Sequence, residues 1–272
     1  MLILPPLYPI IDFSCFATAA DPVMAIVRYA EELIAAGATL IQLRDKSLAN
    51  QGNPTRRFLR CARELRRVSL DRATLIINDR VDICLAADAD GVHLGQHDLS
   101  PESARRIFDS VLSHPIALSL GKSQLLHERM GHPGESSGRE KIGRSEESSS
   151  QEEMGHREGL AVEERRTTEK LLIGYSTHNI AQVIAADALP IDYIAIGPVF
   201  ATGSKANPDP VVGLEGVRQA RRVTKKPLVA IGGITRQNCS QVKAAGADAV
   251  AVISDLLESP AKAVADFLRV LG

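Results

Sequence analysis

The sequence predicts an α/β chain, a single (β/α)8 barrel of the TIM type interrupted by one long insertion. Three observations carry that expectation. A phrase recurs as "AAGATLIQLRDK", "AADADGVHLGQHD", "AADALPIDYIAIGPVF" and "AAGADAVAVISD", in which an alanine-rich helix end leads through a short spacer into an apolar strand that stops at a polar group. The runs "LIQL", "TLII", "YIAI" and "LVAI" lack polar–apolar alternation, as strands covered on both faces of a parallel sheet do. The 272 residues, 44% hydrophobic and 24% charged, suit one barrel-sized domain with a full core.

The elements follow in order. Strands are expected near 8–12, 39–43, 74–77, 91–94, 171–175, 192–196, 227–231 and 249–253. Helical spacing of apolar residues marks "PVMAIVRYAEELIAA", "PTRRFLRCARELRRV", "PESARRIFDSV", "LEGVRQARRV" and "PAKAVADFLRVL" between or after them. Gly37 and Gly246 suit the position just past a helix end, where glycine takes a left-handed backbone cheaply. Residues 121–169 break the rhythm. There apolar periodicity nearly vanishes and Ser, Gly, Glu and Arg dominate, so the stretch buries too little apolar area to offset its ordering entropy. It is expected to be a largely disordered insert between the fourth helix and the fifth strand, with a partner-binding or lid role as the functional alternative. Its His127, His132 and His156 are too scattered for metal-ligand spacing. The segment 114–120, "HPIALSL", reads either as a further strand or as the edge of the insert. Residues 1–120 and 170–272 then form the catalytic barrel.

Composition excludes several function classes. A formal net charge of −1 supplies no global field to recruit nucleic acid or an anionic membrane, so any anion binding is local. The four cysteines contain no C-x-x-C pair and read as packing residues in a reducing compartment. The start, "MLILPPLYPIIDF", has no basic flank and is broken by prolines, and no apolar run reaches about 18 residues. A cytoplasmic protein without a membrane partner is expected. A homo-oligomer is compatible with the sequence, and so is an unknown partner for the insert.

In such a barrel the reaction site lies at the C-terminal ends of the strands, and polar residues gather there. Strand two ends in Gln42-x-Arg44-x-Lys46, three side chains on one side of an extended segment. Strand three delivers Asn78 and Asp79, strand four His93, Gln96 and Asp98, strand five Ser176 and His178, and strand six Thr202, Ser204 and Lys205. Gly232-Gly233 after strand seven and Ile253-Ser254 after strand eight read as a phosphate cradle of backbone N–H groups at two helix starts. Asp79 and Asp98 make a second site suited to magnesium, which takes a few carboxylates and completes its shell with water and phosphate oxygens. Arg44, Lys46 and Lys205 then neutralise a diphosphate. The bland readings are solvated loop charges for Arg44 and Lys46, helix caps for Asp79 and Ser254, a tight turn for the glycine pair, and a buried hydrogen-bonded ring for His93.

"QLRDK", "NDRVDICLAADADGVHLGQHDL", "GYSTH", "GPVFATGSK", "AIGGI" and "VIS" resemble, in order, the successive motifs of the thiamine-phosphate synthase family. The resemblance covers the chain apart from its start and 121–169. It implies a magnesium-dependent transfer that joins 4-amino-2-methyl-5-pyrimidinylmethyl diphosphate to thiazole ethyl phosphate and releases pyrophosphate. It further implies that Gln42, Leu43, Arg44, Asp45, Lys46, Asn78, Ser176 and Lys205 meet the pyrimidine diphosphate. Of these, Arg44, Lys46, Ser176 and Lys205 carry the catalytic roles. Thr202, Gly203, Ser204, Gly233, Ile253 and Ser254 take the thiazole phosphate, and Asp79 and Asp98 take Mg2+. Ser204 stands where the family commonly has threonine, which keeps the hydroxyl and drops a methyl. Two other readings stay open: a thiazole tautomerase-like paralogue, against which the full Q-x-R-x-K, N-D and G-Q-x-D set argues, and a catalytically silent barrel that recruits a partner through the insert.

Overall fold

The computed structural model describes residues 2–46, 54–113, 170–202 and 209–272. The chain divides into two compact units, residues 1–105 with 171–272, and residues 106–170. The first unit holds eight parallel strands closed in sequence order: β1 (Leu7–Asp12), β2 (Leu40–Arg44), β3 (Thr74–Asn78), β4 (Gly91–Leu94), β5 (Leu172–Thr177), β6 (Tyr193–Ile196), β7 (Leu228–Ile231) and β8 (Ala249–Val252), with β8 pairing back onto β1. In the second unit the described residues are the C-terminal turns of the fourth helix and residues 113 and 170. The segments 114–120 and 121–169, and with them the ambiguous strand and the insert, lie outside the described residues.

Between the strands run α1 (Pro22–Ala35), α2 (Pro54–Ser69), α3 (Val81–Ala86), α4 (Pro101–Leu112), α5 (Ile180–Asp187), α6 (Gly213–Val223) and α7 (Cys239–Ala244), and α8 (Pro260–Leu271) closes the chain. The local chemistry explains the boundaries. Asp21 caps α1 by accepting from the Val23 and Met24 amides, with Pro22 at the first helical position, and Asn179 caps α5 by accepting from the Gln182 amide. Gly37 and Gly246 end α1 and α7 at φ +107° and +109°. Among the described residues no helix is long and apolar enough to cross a membrane.

The recurring phrase has a structural job at the N-terminal end of the barrel. Asp90, Asp192 and Asp248, each just ahead of an even-numbered strand, accept a backbone N–H at the start of the preceding strand, from Leu75, Ile173 and Leu228, at 2.8, 2.8 and 2.7 Å, the first or second residue in each case. Arginines from α2, α4 and α6 hold the same carboxylates: Arg66–Asp90 at 3.0 Å, Arg105–Asp192 at 2.6 Å and Arg221–Asp248 at 2.8 Å. These are repeated clamps that tie every second helix to its strand pair.

Alternation sorts each strand into an inward and an outward set. The inward set includes Tyr8, Ile10, Leu40, Ile76, Tyr193, Ala195, Val229, Ala249 and Ala251, which pack into one buried cluster. Small residues beside the two tyrosines are a volume requirement. A Cβ on Gly174, the partner of Tyr193 in the β5–β6 register, would come within 2.0 Å of the Tyr193 ring.

Candidate active site

At the C-terminal rim the same inward parity continues as polar side chains. Asp12 and Arg44 are Cα partners across β1 and β2, and the guanidinium pairs with the Asp12 carboxylate. Asp12 also accepts from the Ser14 amide and hydroxyl, which fixes its orientation. Burial lowers the Arg44 pKa, opposed by the charges of Asp79 and Asp45. Lys46 pairs with Asp79. Gln42, one step deeper, lies in the barrel interior and donates to Tyr8 Oη at 2.8 Å. Leu43 and Asp45 face the opposite way: Leu43 is buried, and Asp45 pairs with Arg57 of α2 at 3.1 Å. A substrate at the mouth can meet those two only through their backbone.

Asp79 follows β3 with a left-handed backbone, φ +62°. Among non-glycine residues asparagine and aspartate tolerate this best, at a cost of about 1 kcal/mol. The helix-cap alternative does not apply to it, because Arg80 occupies the N-cap of α3 with no side-chain cap bond while the Asp79 carboxylate turns to Lys46. The Asp79 amide donates to the His93 carbonyl at 2.8 Å, joining the β3 and β4 ends. Its carboxyl is raised from 3.8 to about 6, by burial first and by hydrogen bonding to Asp98 next, with Lys46 opposing. Asp98 in turn accepts from the Gly95 amide at 2.8 Å. The two acids are therefore neighbours. Asn78 lies beside His93 in the β3–β4 register and is buried.

His93 is buried between two hydroxyls, with Nδ1 3.1 Å from Tyr193 Oη and Nε2 2.8 Å from Ser176 Oγ. Burial lowers its pKa to about 4, with Asp98 opposing, so the ring is neutral at physiological pH. Gln96 donates to the Ser176 carbonyl at 2.5 Å. His178 donates from Nδ1 to the Gly197 carbonyl at 2.8 Å.

On the far side of the mouth, the loop after β6 lies against the glycine pair. The Val199 amide donates to the Ile231 carbonyl at 2.9 Å and the Phe200 amide to the Gly232 carbonyl at 3.0 Å. Gly232 and Gly233 have φ +99° and +64°, and a Cβ on Gly233 would stand 2.5 Å from the Ala201 carbonyl oxygen. Phe200 and Ala201, the residues leading to Thr202, are thereby brought against Gly233. The expectation of two helix starts here is corrected. Helix α7 begins only at Cys239, because Asn238 accepts from the Thr235 amide and donates to the Gly233 carbonyl, closing a separate turn. Ser254 opens a single 3-10 turn, Ser254–Leu256, with Ile253 as its N-cap. Gly203, Ser204 and Lys205 lie outside the described residues.

Sequence reading missed Asp12, Tyr8 and Tyr193. Asp12 was available to the rule that found the others, since it is the polar residue that ends "PIID"; the tyrosines were concealed as ordinary strand aromatics. A cavity of about 690 Å³ also opens at the opposite end of the barrel, lined by Leu2, Asp192, Arg221, Thr224, Lys226 and Pro227 among others. Lys226 there is committed to the Leu189 and Ile191 carbonyls and Arg221 to Asp248, whereas the clustered acids and cations described above belong to the other rim.

Among the described residues no three His, Cys, Asp or Glu gather as a protein-only metal cage. The pair Asp79 and Asp98, hard oxygen donors next to a cationic rim, fits an ion that takes the rest of its shell from water and a phosphorylated substrate. A closed parallel barrel with paired acids and cations on one side of its mouth, and a left-handed glycine loop on the other, defines a (β/α)8 enzyme for phosphorylated small molecules. Similarity narrows the class. The family model described as "Thiamine monophosphate synthase" matches residues 13–127 and 154–256. The chain is 40% identical to a thiamine-phosphate synthase of Koribacter versatilis over 98% of its own length and 96% of that protein's. It is 34% identical to one of Methanoregula boonei over 83% and 76%. A solved thiamine phosphate pyrophosphorylase of Pyrococcus furiosus superposes with TM-score 0.64 at 25% identity, covering 98% of this chain and 95% of that one. The chain belongs to the thiamine monophosphate synthase family. The family match skips 128–153, inside the segment that composition set apart.

Proposed function

We propose that the chain joins 4-amino-2-methyl-5-pyrimidinylmethyl diphosphate to thiazole ethyl phosphate, giving thiamine phosphate and pyrophosphate. The single observation that carries this reading is two unlike groups of residues at one mouth, each suited to an anion. Arg44, Lys46, Asp79 and Asp98 form the first, and Thr202, Gly232-Gly233 and Ser254 the second.

The chemistry needs no protein nucleophile. The methylene C–O bond breaks and its electron pair leaves with pyrophosphate; the thiazole nitrogen lone pair then forms the C–N bond. An electron-rich aminopyrimidine supports the intervening cationic methylene. The protein's share is to neutralise the departing charge and align the two partners. Arg44, oriented by Asp12, grips a phosphate edge, and Lys46 and Lys205 act as point charges. Asn78 and Ser176 add hydrogen bonds to the same substrate, together with Gln42 at the inner end of the pocket. Thr202, Gly203, Ser204, Gly233, Ile253 and Ser254 hold the thiazole phosphate through backbone N–H groups and hydroxyls. Asp79 and Asp98 would hold Mg2+, which when bound neutralises diphosphate charge and so eases leaving-group departure. With four free cysteines and small phosphorylated substrates, the reading is of a cytoplasmic enzyme.

The test is pyrophosphate release from the pyrimidine diphosphate, with and without thiazole phosphate, in magnesium and in chelator. Release that requires both the thiazole and the metal is expected. No release under any condition would overturn the proposal. Deleting 121–169 leaves this activity intact if the insert serves only a partner.

A further inference from the structure

Five side chains from five strands form one continuous hydrogen-bonded chain through the barrel interior. Gln42 Nε2 donates to Tyr8 Oη at 2.8 Å, Tyr8 Oη meets Tyr193 Oη at 2.9 Å, Tyr193 Oη meets His93 Nδ1 at 3.1 Å, and His93 Nε2 meets Ser176 Oγ at 2.8 Å. Gln42, Tyr8, His93 and Tyr193 are all buried. Burial also raises both phenol pKa values, so each tyrosine keeps its single proton.

Proton counting then fixes a direction. Tyr8 oxygen accepts from the Gln42 amide, so its own proton goes to Tyr193. Tyr193, having accepted, gives its proton to His93 Nδ1, which must be a bare lone pair. A neutral imidazole carries one proton, so it sits on Nε2 and is donated to Ser176 Oγ. Ser176 has accepted once, and its own hydroxyl proton has no taker within the chain. Gln96 holds the Ser176 carbonyl from the other side, which leaves the hydroxyl as the part free to turn to the mouth.

We propose that this chain makes Ser176 an obligate hydrogen-bond donor toward an acceptor atom of the pyrimidine diphosphate, with Tyr193 as the positioning residue that sets its polarity. The inference rests on the assignment of Ser176 to that substrate. The opposite polarity would spend the Ser176 proton on His93 and present the mouth with only a lone pair, which repels an anion. A donor aimed in advance strengthens as negative charge develops on the leaving group.

The test is the tautomer of His93, read by nitrogen NMR on the full chain labelled with 15N-histidine, without substrate, the signal assigned by its loss in His93→Gln. A proton on Nε2 and a bare Nδ1 are expected. In Tyr193→Phe the Nδ1 donor is gone, so the two tautomers mix, and kcat/KM for the pyrimidine diphosphate falls roughly 10- to 100-fold, the scale of one charge-assisted hydrogen bond, while KM for thiazole phosphate stays put. Ser176→Ala added to Tyr193→Phe costs little more, because both remove the same donated bond. A proton on Nδ1 in the parent chain overturns the polarity whatever the chain catalyses, even if Tyr193→Phe fails to fold. The expected tautomer, combined with unimpaired turnover by Ser176→Ala, overturns the role of Ser176. Absence of pyrophosphate release by the parent would defeat the functional reading alone, since the tautomer is measured without it.

Discussion

Asp79→Asn is expected to yield a more stable and nearly inactive chain. In the parent the Asp79 carboxyl is raised from 3.8 to about 6, by burial first and then by Asp98. At 1.36 kcal/mol per pH unit, holding it ionised at about pH 8 costs the metal-free fold about 3 kcal/mol. The folded value lies above the unfolded one, so the folded chain binds the extra proton in the window between about pH 4 and 6. Stability from this group therefore rises as pH falls through about 6, and levels off near 4. The asparagine keeps the shape and removes the titration. The shift is already net of the opposing pair with Lys46, so that loss is not subtracted again. The net gain at about pH 8 is therefore on the order of 3 kcal/mol, shrinking toward zero near pH 4. Urea denaturation of both chains in chelator across that range measures it. The difference between the two curves cancels other groups, such as Asp82, whose carboxyl is lowered by Arg80. Magnesium should reverse the order, because the ion takes the proton's place only in the parent. A difference that does not vary with pH, or a variant less stable than the parent at pH 8, would refute the reasoning.

Asp12→Ala strands a largely buried guanidinium, so it should destabilise by roughly 3–5 kcal/mol in denaturant titration and raise KM for the pyrimidine diphosphate. Lys46→Ala should leave the fold nearly unchanged and lower kcat roughly 10²-fold, the scale of one preorganised electrostatic contact, in the pyrophosphate assay. Gly174→Ala forces a methyl into the Tyr193 ring and should cost at least about 2 kcal/mol, read as a lower urea midpoint at unchanged slope. Gly233→Ala, at φ +64° and against the Ala201 carbonyl, should raise KM for thiazole phosphate and spare that for the diphosphate.

Much of the rim was legible because a barrel strand hands its last inward side chain to the mouth. Reading where each apolar run stopped was enough to find Arg44, Asn78, Asp79, Asp98 and Ser176. The same rule applied to "PIID" would have found Asp12. Gln42 shows its limit: it shares the parity of Arg44, yet one strand step deeper places it with Tyr8 in the interior. Leu43 and Asp45 show the converse, since contiguity in "QLRDK" hides that alternate residues face α2. The glycine pair was found, but its helix was put too early, because the Asn238 turn that separates them carries no apolar period.

By itself the sequence determined the order of strands and helices, the points where each strand ends, and the chemical types at those ends, because alternation and helical spacing are properties of a local stretch of chain. Tertiary structure alone decided which ends meet. Closing β8 onto β1 fixed the stagger between strands, and that stagger set Asp12 against Arg44, Lys46 against Asp79, and Tyr193 between Tyr8 and His93. Pair energies, shifted acidities and the direction of a proton chain depend on distances between residues up to 185 apart in sequence, which no local pattern encodes.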